Sequence, residues 1–76
     1  MNKPRTVSQA YLLGISEGRA AFRALDPGDD LLADSRAMLA TSEALLRQGF
    51  AGDMRDCLRG ERDFWRNQVK RLAQGE

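Results

Sequence analysis

The sequence predicts an all-α domain of three helices, over about residues 7–25, 30–48 and 53–73. Three observations carry that expectation. Apolar residues recur every three or four positions in each segment, as one buried face of a helix requires. Pro27-Gly28 and the pair Gly49 and Gly52 punctuate the chain between the segments. No stretch alternates with the two-residue period of a half-buried strand, and no internal repeat is visible. Residues 1–6 read as a flexible amino-terminal arm, because Pro4 and its charged neighbours offer nothing to bury, and 7–76 as a single domain.

The first helix is expected to be capped by Thr6 or Ser8 and to bury Val7, Tyr11, Ile15, Phe22 and Leu25. Asp26-Pro27-Gly28-Asp29-Asp30 then stops one helix and starts the next: the residue before proline disfavours helical angles, and Asp29 or Asp30 can accept from the new helix's free amides. In the second helix Leu31, Leu32, Met38, Leu39, Leu45 and Leu46 form the inner face, with Ser35 and Ser42 between them. Ala33, Ala37, Ala40 and Ala44 run down the back. Gly49 is placed to end this helix in the left-handed conformation, with Phe50 folding back towards Leu45. The third helix, with Asp53 as its cap, aligns Met54, Leu58, Trp65 and Leu72, flanked by Cys57 and Val69. Connections this short favour antiparallel neighbours, so an antiparallel hairpin with a docked third helix and an up-down-up three-helix bundle both remain open.

Only 21 large apolar side chains serve 76 residues. A domain of about 60 residues buries only roughly 60% of its unfolded surface and usually needs a further brace. With no His and one Cys, neither a zinc site nor an intrachain disulfide can supply it. A homodimer is therefore expected, with no cofactor and no metal. No apolar run approaches the roughly 20 residues of a membrane helix, and no signal-like stretch follows Met1, so a soluble cytoplasmic protein is expected.

The same counts argue against an enzyme. Cys57 has no base beside it in sequence and reads as a small packed side chain, and the aspartates of the first turn read as helix caps. Net charge is +1, but ten of the twelve basic residues are Arg, the side chain suited to forked contacts at interfaces. Phe64, Arg62, Arg66 and Arg59 are the expected partner-binding residues, with Trp65 as their core support. Gly14 and Gly18, with Leu13 on the outer side, mark a dimer contact or another close helix packing, because two glycines inside a helix cost about 1 kcal/mol each relative to Ala. An alternative is nucleic-acid binding through the stripe Arg55, Arg59, Arg62, Arg66 and Lys70, which Asp56 and Asp63 interrupt. Glu61 falls on the inner line of the third helix. It is expected either to meet an Arg, such as Arg19 or Arg23 across a dimer, or to lie at a wet edge.

The segments Tyr11-Leu-Leu-Gly-Ile-Ser-Glu-Gly-Arg19 and Gly60-Glu-Arg-Asp-Phe-Trp-Arg-Asn-Gln68 resemble small helical proteins of tailed phages, including transposable phages of proteobacteria. In size and helical make-up the chain is similar to the phage anti-quorum-sensing inhibitors, dimeric helical hairpins that bind host proteins. The resemblance implies a product that binds and inhibits or redirects a host protein, such as a transcriptional regulator, in the host cytoplasm.

Overall fold

Three α-helices make up most of residues 8–75, which the computed structural model describes: α1 (Gln9–Arg23), α2 (Leu31–Arg47) and α3 (Gly52–Ala73). No strand occurs among these residues. The arm expected over 1–6, and Val7, lie outside the described residues.

Local chemistry sets most of the ends. The Ser8 hydroxyl accepts from the Tyr11 amide at 3.1 Å and caps α1; Asp30 accepts from the Ala33 amide at 3.1 Å and caps α2. In the first turn the Asp26 carboxylate accepts from the Gly28 amide at 2.9 Å, a local loop that competes with helix continuation. Gly49, at φ +90°, closes α2 by donating to the Leu46 carbonyl. The start of α3 departs from expectation. Its cap is Ala51, with no side-chain acceptor, and Gly52 at φ +64° turns the chain into the helix, so Asp53 lies inside the first turn. There its charge faces the positive end of the helix dipole. Phe50 is exposed rather than folded away.

α3 is the central helix. It packs against both α1 and α2, while α1 and α2 barely touch each other. The order is thus up-down-up, with the first two helices laid against different sides of the third. α1 and α3 run parallel: Ser8 pairs with Asp56, Tyr11 with Asp63, and Gly18 sits on Phe64.

Glycine makes that parallel seam possible. A Cβ on Gly60 would fall on the Tyr11 carbonyl oxygen and 3.0 Å from the Ile15 amide nitrogen. One on Gly14 would fall on the Cys57 carbonyl and 3.0 Å from the Glu61 amide nitrogen. The two backbones are in direct contact, each passing over the other's missing side chain. One turn further along, Gly18 offers the floor on which the Phe64 ring lies, 2.7 Å from where a Cβ would stand. The glycines expected to serve a dimer or a close helix packing thus serve packing within the chain.

The core is as thin as the composition implies. Leu58, Phe64 and Trp65 are its buried apolar side chains, and Trp65 is 1% exposed. Phe22 joins the two aromatics in an edge-to-face triangle, with ring centres 5.1–6.3 Å apart, an arrangement worth about 0.5–1.5 kcal/mol per pair beyond area burial. On α2 the most deeply buried side chains are Ser35 and Ser42, not the leucines beside them. Small residues at the middle of that face let α2 lie close to α3. Ser42 donates to the Met38 carbonyl at 3.1 Å, whereas the Ser35 hydroxyl is fully buried and finds no partner among the described residues.

Candidate functional site

The expected partner-binding set divides on burial. Phe64 is 8% exposed and Trp65 less, so neither ring is presented to a partner. Adjacent residues on a helix diverge by about 100°, so a single buried face would not hold both rings. α3 has two. Phe64 turns onto Gly18 of α1, and Trp65 closes the aromatic triangle with Phe22. The correction is that Phe64 is a core residue.

The arginines are surface groups. Arg62 forks onto the Asp63 carboxylate, with Nε at 3.0 Å and Nη2 at 2.9 Å from the same oxygen. Arg55 lies 3.5 Å from Asp56, and Arg66 reaches Glu43 of α2 at 4.0 Å. Arg59 and Lys70 are exposed and make no ion pair among the described residues. The two aspartates that interrupt the basic stripe are engaged by α1 as well. Asp56 accepts from the Ser8 hydroxyl at 3.0 Å, and Asp63 accepts from the Tyr11 hydroxyl at 2.6 Å. Burial pushes the Asp63 carboxyl upward, but the hydrogen bonds from Tyr11 and Arg62 outweigh it and hold the group below the ordinary aspartate value. The bond to Asp63, with burial and the carboxylate's charge, raises the Tyr11 phenol.

On the other edge of the α1–α3 seam the geometry brings together groups that the sequence keeps apart. Glu17 of α1 meets Cys57 and Glu61, one turn apart on α3, with their ligand atoms within 4.8 Å of one another. The thiol donates towards Glu17 at 3.6 Å and towards Glu61 at 3.8 Å. Burial first, then the two carboxylates, push the Cys57 thiol up to about 11. Burial and the neighbouring Glu17 raise Glu61 as well. Within the chain Glu61 therefore meets another carboxylate and a thiol. The donor set could hold a cation, yet its own electrostatics favour protons: Glu61 is raised, and the thiol, pushed up to about 11, stays protonated at neutral pH.

Beyond this cluster, at the amino-terminal ends of the two parallel helices, lies an apolar surface. Leu12, Leu13 and Met54 are 50%, 54% and 56% exposed and border a shallow groove with Gln9, Ala10 and Asp53. Leu13 is the one residue of this surface that its off-face position singles out in the sequence. Met54 reads there as an inner position, and only the parallel pairing of α1 with α3 shows that it falls, with Leu12, beyond the packed seam. No helix is long and apolar enough to cross a membrane among the described residues. No family model, no curated protein and no solved structure matches the chain.

Proposed function

We propose that this chain is a non-enzymatic recognition protein that captures a larger protein by occupying part of its surface. The single observation that carries the reading is the exposed apolar trio Leu12, Leu13 and Met54, side by side at one end of a molecule whose own core is thin. Three large apolar side chains half in water on adjacent helices are a contact surface rather than scattered exposure. Arg59 and Arg66, exposed on α3, supply charged contacts further along. The resemblance to small phage proteins supports a host protein as the partner, inhibited or redirected in the host cytoplasm, and a homodimer as the acting form.

The test is affinity capture with the wild type and with Leu13→Asp combined with Met54→Asp. Both positions are exposed, so helicity and melting should be unchanged while the captured protein is lost. Undiminished capture by the double variant would remove the apolar surface from the reading.

A second reading, binding of nucleic acid through Arg55, Arg59, Arg62, Arg66 and Lys70, rests on Arg59 and Lys70, which are exposed and make no ion pair among the described residues, whereas Asp56, Asp63 and Glu43 engage the other three. Retention on a DNA column that falls steeply with salt is its expected signature.

A further inference from the structure

On the edge of the α1–α3 seam opposite Cys57, the carboxyl-terminal halves of the two parallel helices enclose a groove of about 600 Å³, within the range of small-molecule sites. Its walls are cationic. Arg19 of α1 and Lys70 and Arg71 of α3 line it, and Arg23 and Phe22 line an adjoining stretch that shares Arg19 and Arg71. None of these four cations forms an ion pair among the described residues. The acid in the groove, Asp63, is already engaged by Tyr11 and Arg62. Helix ends explain part of the pattern: Arg23, Lys70 and Arg71 lie in last turns, where cations complement exposed carbonyls. That account does not reach Arg19, a full turn earlier.

Nor does it reach Gln68. This side chain is only 8% exposed, lines both stretches of the groove, and makes no side-chain hydrogen bond among the described residues. Its amide atoms are open to solvent on the groove side, where they are free to bond to an occupant. An amide N–H and a set of convergent guanidinium forks are donors seeking an acceptor rich in negative oxygen.

We infer that the groove between the carboxyl-terminal halves of α1 and α3 binds a phosphoryl group, held by Arg19, Arg71, Lys70 and Arg23 and oriented by the Gln68 amide. Guanidinium forks match the paired oxygens of a phosphate, and the Phe22 side flanks the remainder of a small phosphorylated molecule. The site shares no residue with the apolar surface proposed for protein capture, so either can fail without the other.

The experiment is titration of the full chain with inorganic pyrophosphate, followed by calorimetry and by amide chemical shifts. Saturable binding is expected, with shifts at Arg19, Gln68 and Arg71. Arg19→Gln combined with Arg71→Gln, both exposed, should weaken it roughly tenfold or more, and Gln68→Leu should weaken it with the melting curve retained. Arg36→Gln combined with Arg47→Gln, on α2, changes net charge equally and should leave binding in place. A thymidine oligonucleotide tests the source of the phosphate: competition with pyrophosphate assigns the same groove to a nucleic-acid backbone. Absence of saturation up to about 10 mM, or equal loss from the α2 pair, would overturn the inference. So would oligonucleotide binding that responds to Arg55→Gln with Arg59→Gln and not to the groove pair.

Discussion

Gly60→Ala should destabilise the protein, and the sign of the effect is what makes the measurement decisive. In a helix facing solvent, replacing Gly by Ala stabilises by about 1 kcal/mol, because Ala loses less backbone freedom on folding. At position 60 the added methyl would land on the Tyr11 carbonyl oxygen and press on the Ile15 amide. Backbone atoms have no rotamer by which to move aside, so α1 must retreat by roughly 1 Å, and a gap of that size forfeits a quarter to a half of each contact along the seam. Overpacking costs about 1–3 kcal/mol. The upper end applies where backbone opposes backbone, and less the propensity gain this leaves a net loss of about 2 kcal/mol. For a domain of this size each kcal/mol moves the melting midpoint by about 4–8 °C, so a fall of about 10 °C is expected. Urea melts followed by circular dichroism read the same quantity at constant temperature. Gly14→Ala should behave alike, and the two together should cost clearly less than their sum, because the first already parts the helices. Gly28→Ala, whose methyl meets only the Asp26 carboxylate at 3.4 Å, is the control and should stay within about 0.5 kcal/mol. A higher melting temperature for Gly60→Ala would refute the parallel seam.

Three further outcomes follow from the buried polar groups. Ser35→Ala should stabilise, by about 1 kcal/mol, since it removes an unpaired buried hydroxyl that costs about 1–3 kcal/mol and leaves little void; Ser42→Ala, whose hydroxyl is bonded, should gain less, and urea midpoints compare the two. Stability should depend on pH in two opposed arms. The raised Glu61 contributes stability that is present below the ordinary glutamate value and lost as pH rises through its folded value, whereas the lowered Asp63 contributes stability present above the ordinary aspartate value and lost as pH falls through its own. Melts across pH should therefore peak in the mildly acidic range, with Glu61→Gln flattening the neutral arm and Asp63→Asn the acid one. Finally, iodoacetamide at pH 8 should modify folded Cys57 about a hundredfold more slowly than the urea-unfolded chain, and Glu17→Gln should speed it.

What the sequence discloses is what depends on neighbours along the chain. Ser8, Asp30 and Gly49 end their helices as expected because capping involves a few consecutive residues. Trp65 is buried where its periodicity puts it. The failures at the candidate site share one cause, the register between α1 and α3. Gly14 and Gly18 signal a close approach, but nothing in the sequence names Gly60 as the third member or shows that the partner helix lies within the same chain. Without that register Phe64 has no floor to lie on, and it reads as a partner-binding residue. Glu61 has the same difficulty in reverse. Its neighbour Glu17 is 44 positions earlier in the chain, and the physical preference for opposite charges points to an arginine instead. The candidate surfaces were hidden for this reason too: Leu12 and Met54, like Arg19 and Arg71, become neighbours only when two helices separated by a third are laid side by side.

The central position of α3 also divides the molecule into parts of unequal permanence. α2 and α3 form a contiguous hairpin that closes over a four-residue loop, whereas α1 is attached almost wholly through contacts made across more than forty positions of chain. Its detachment breaks one interface and leaves the other whole. Amide hydrogens of α1 should therefore exchange with solvent through an opening smaller than global unfolding, ahead of those at the middle of α3. The same opening would uncover Phe22, Phe64 and the glycine seam at once, turning an internal surface into an available one for as long as the first helix is away.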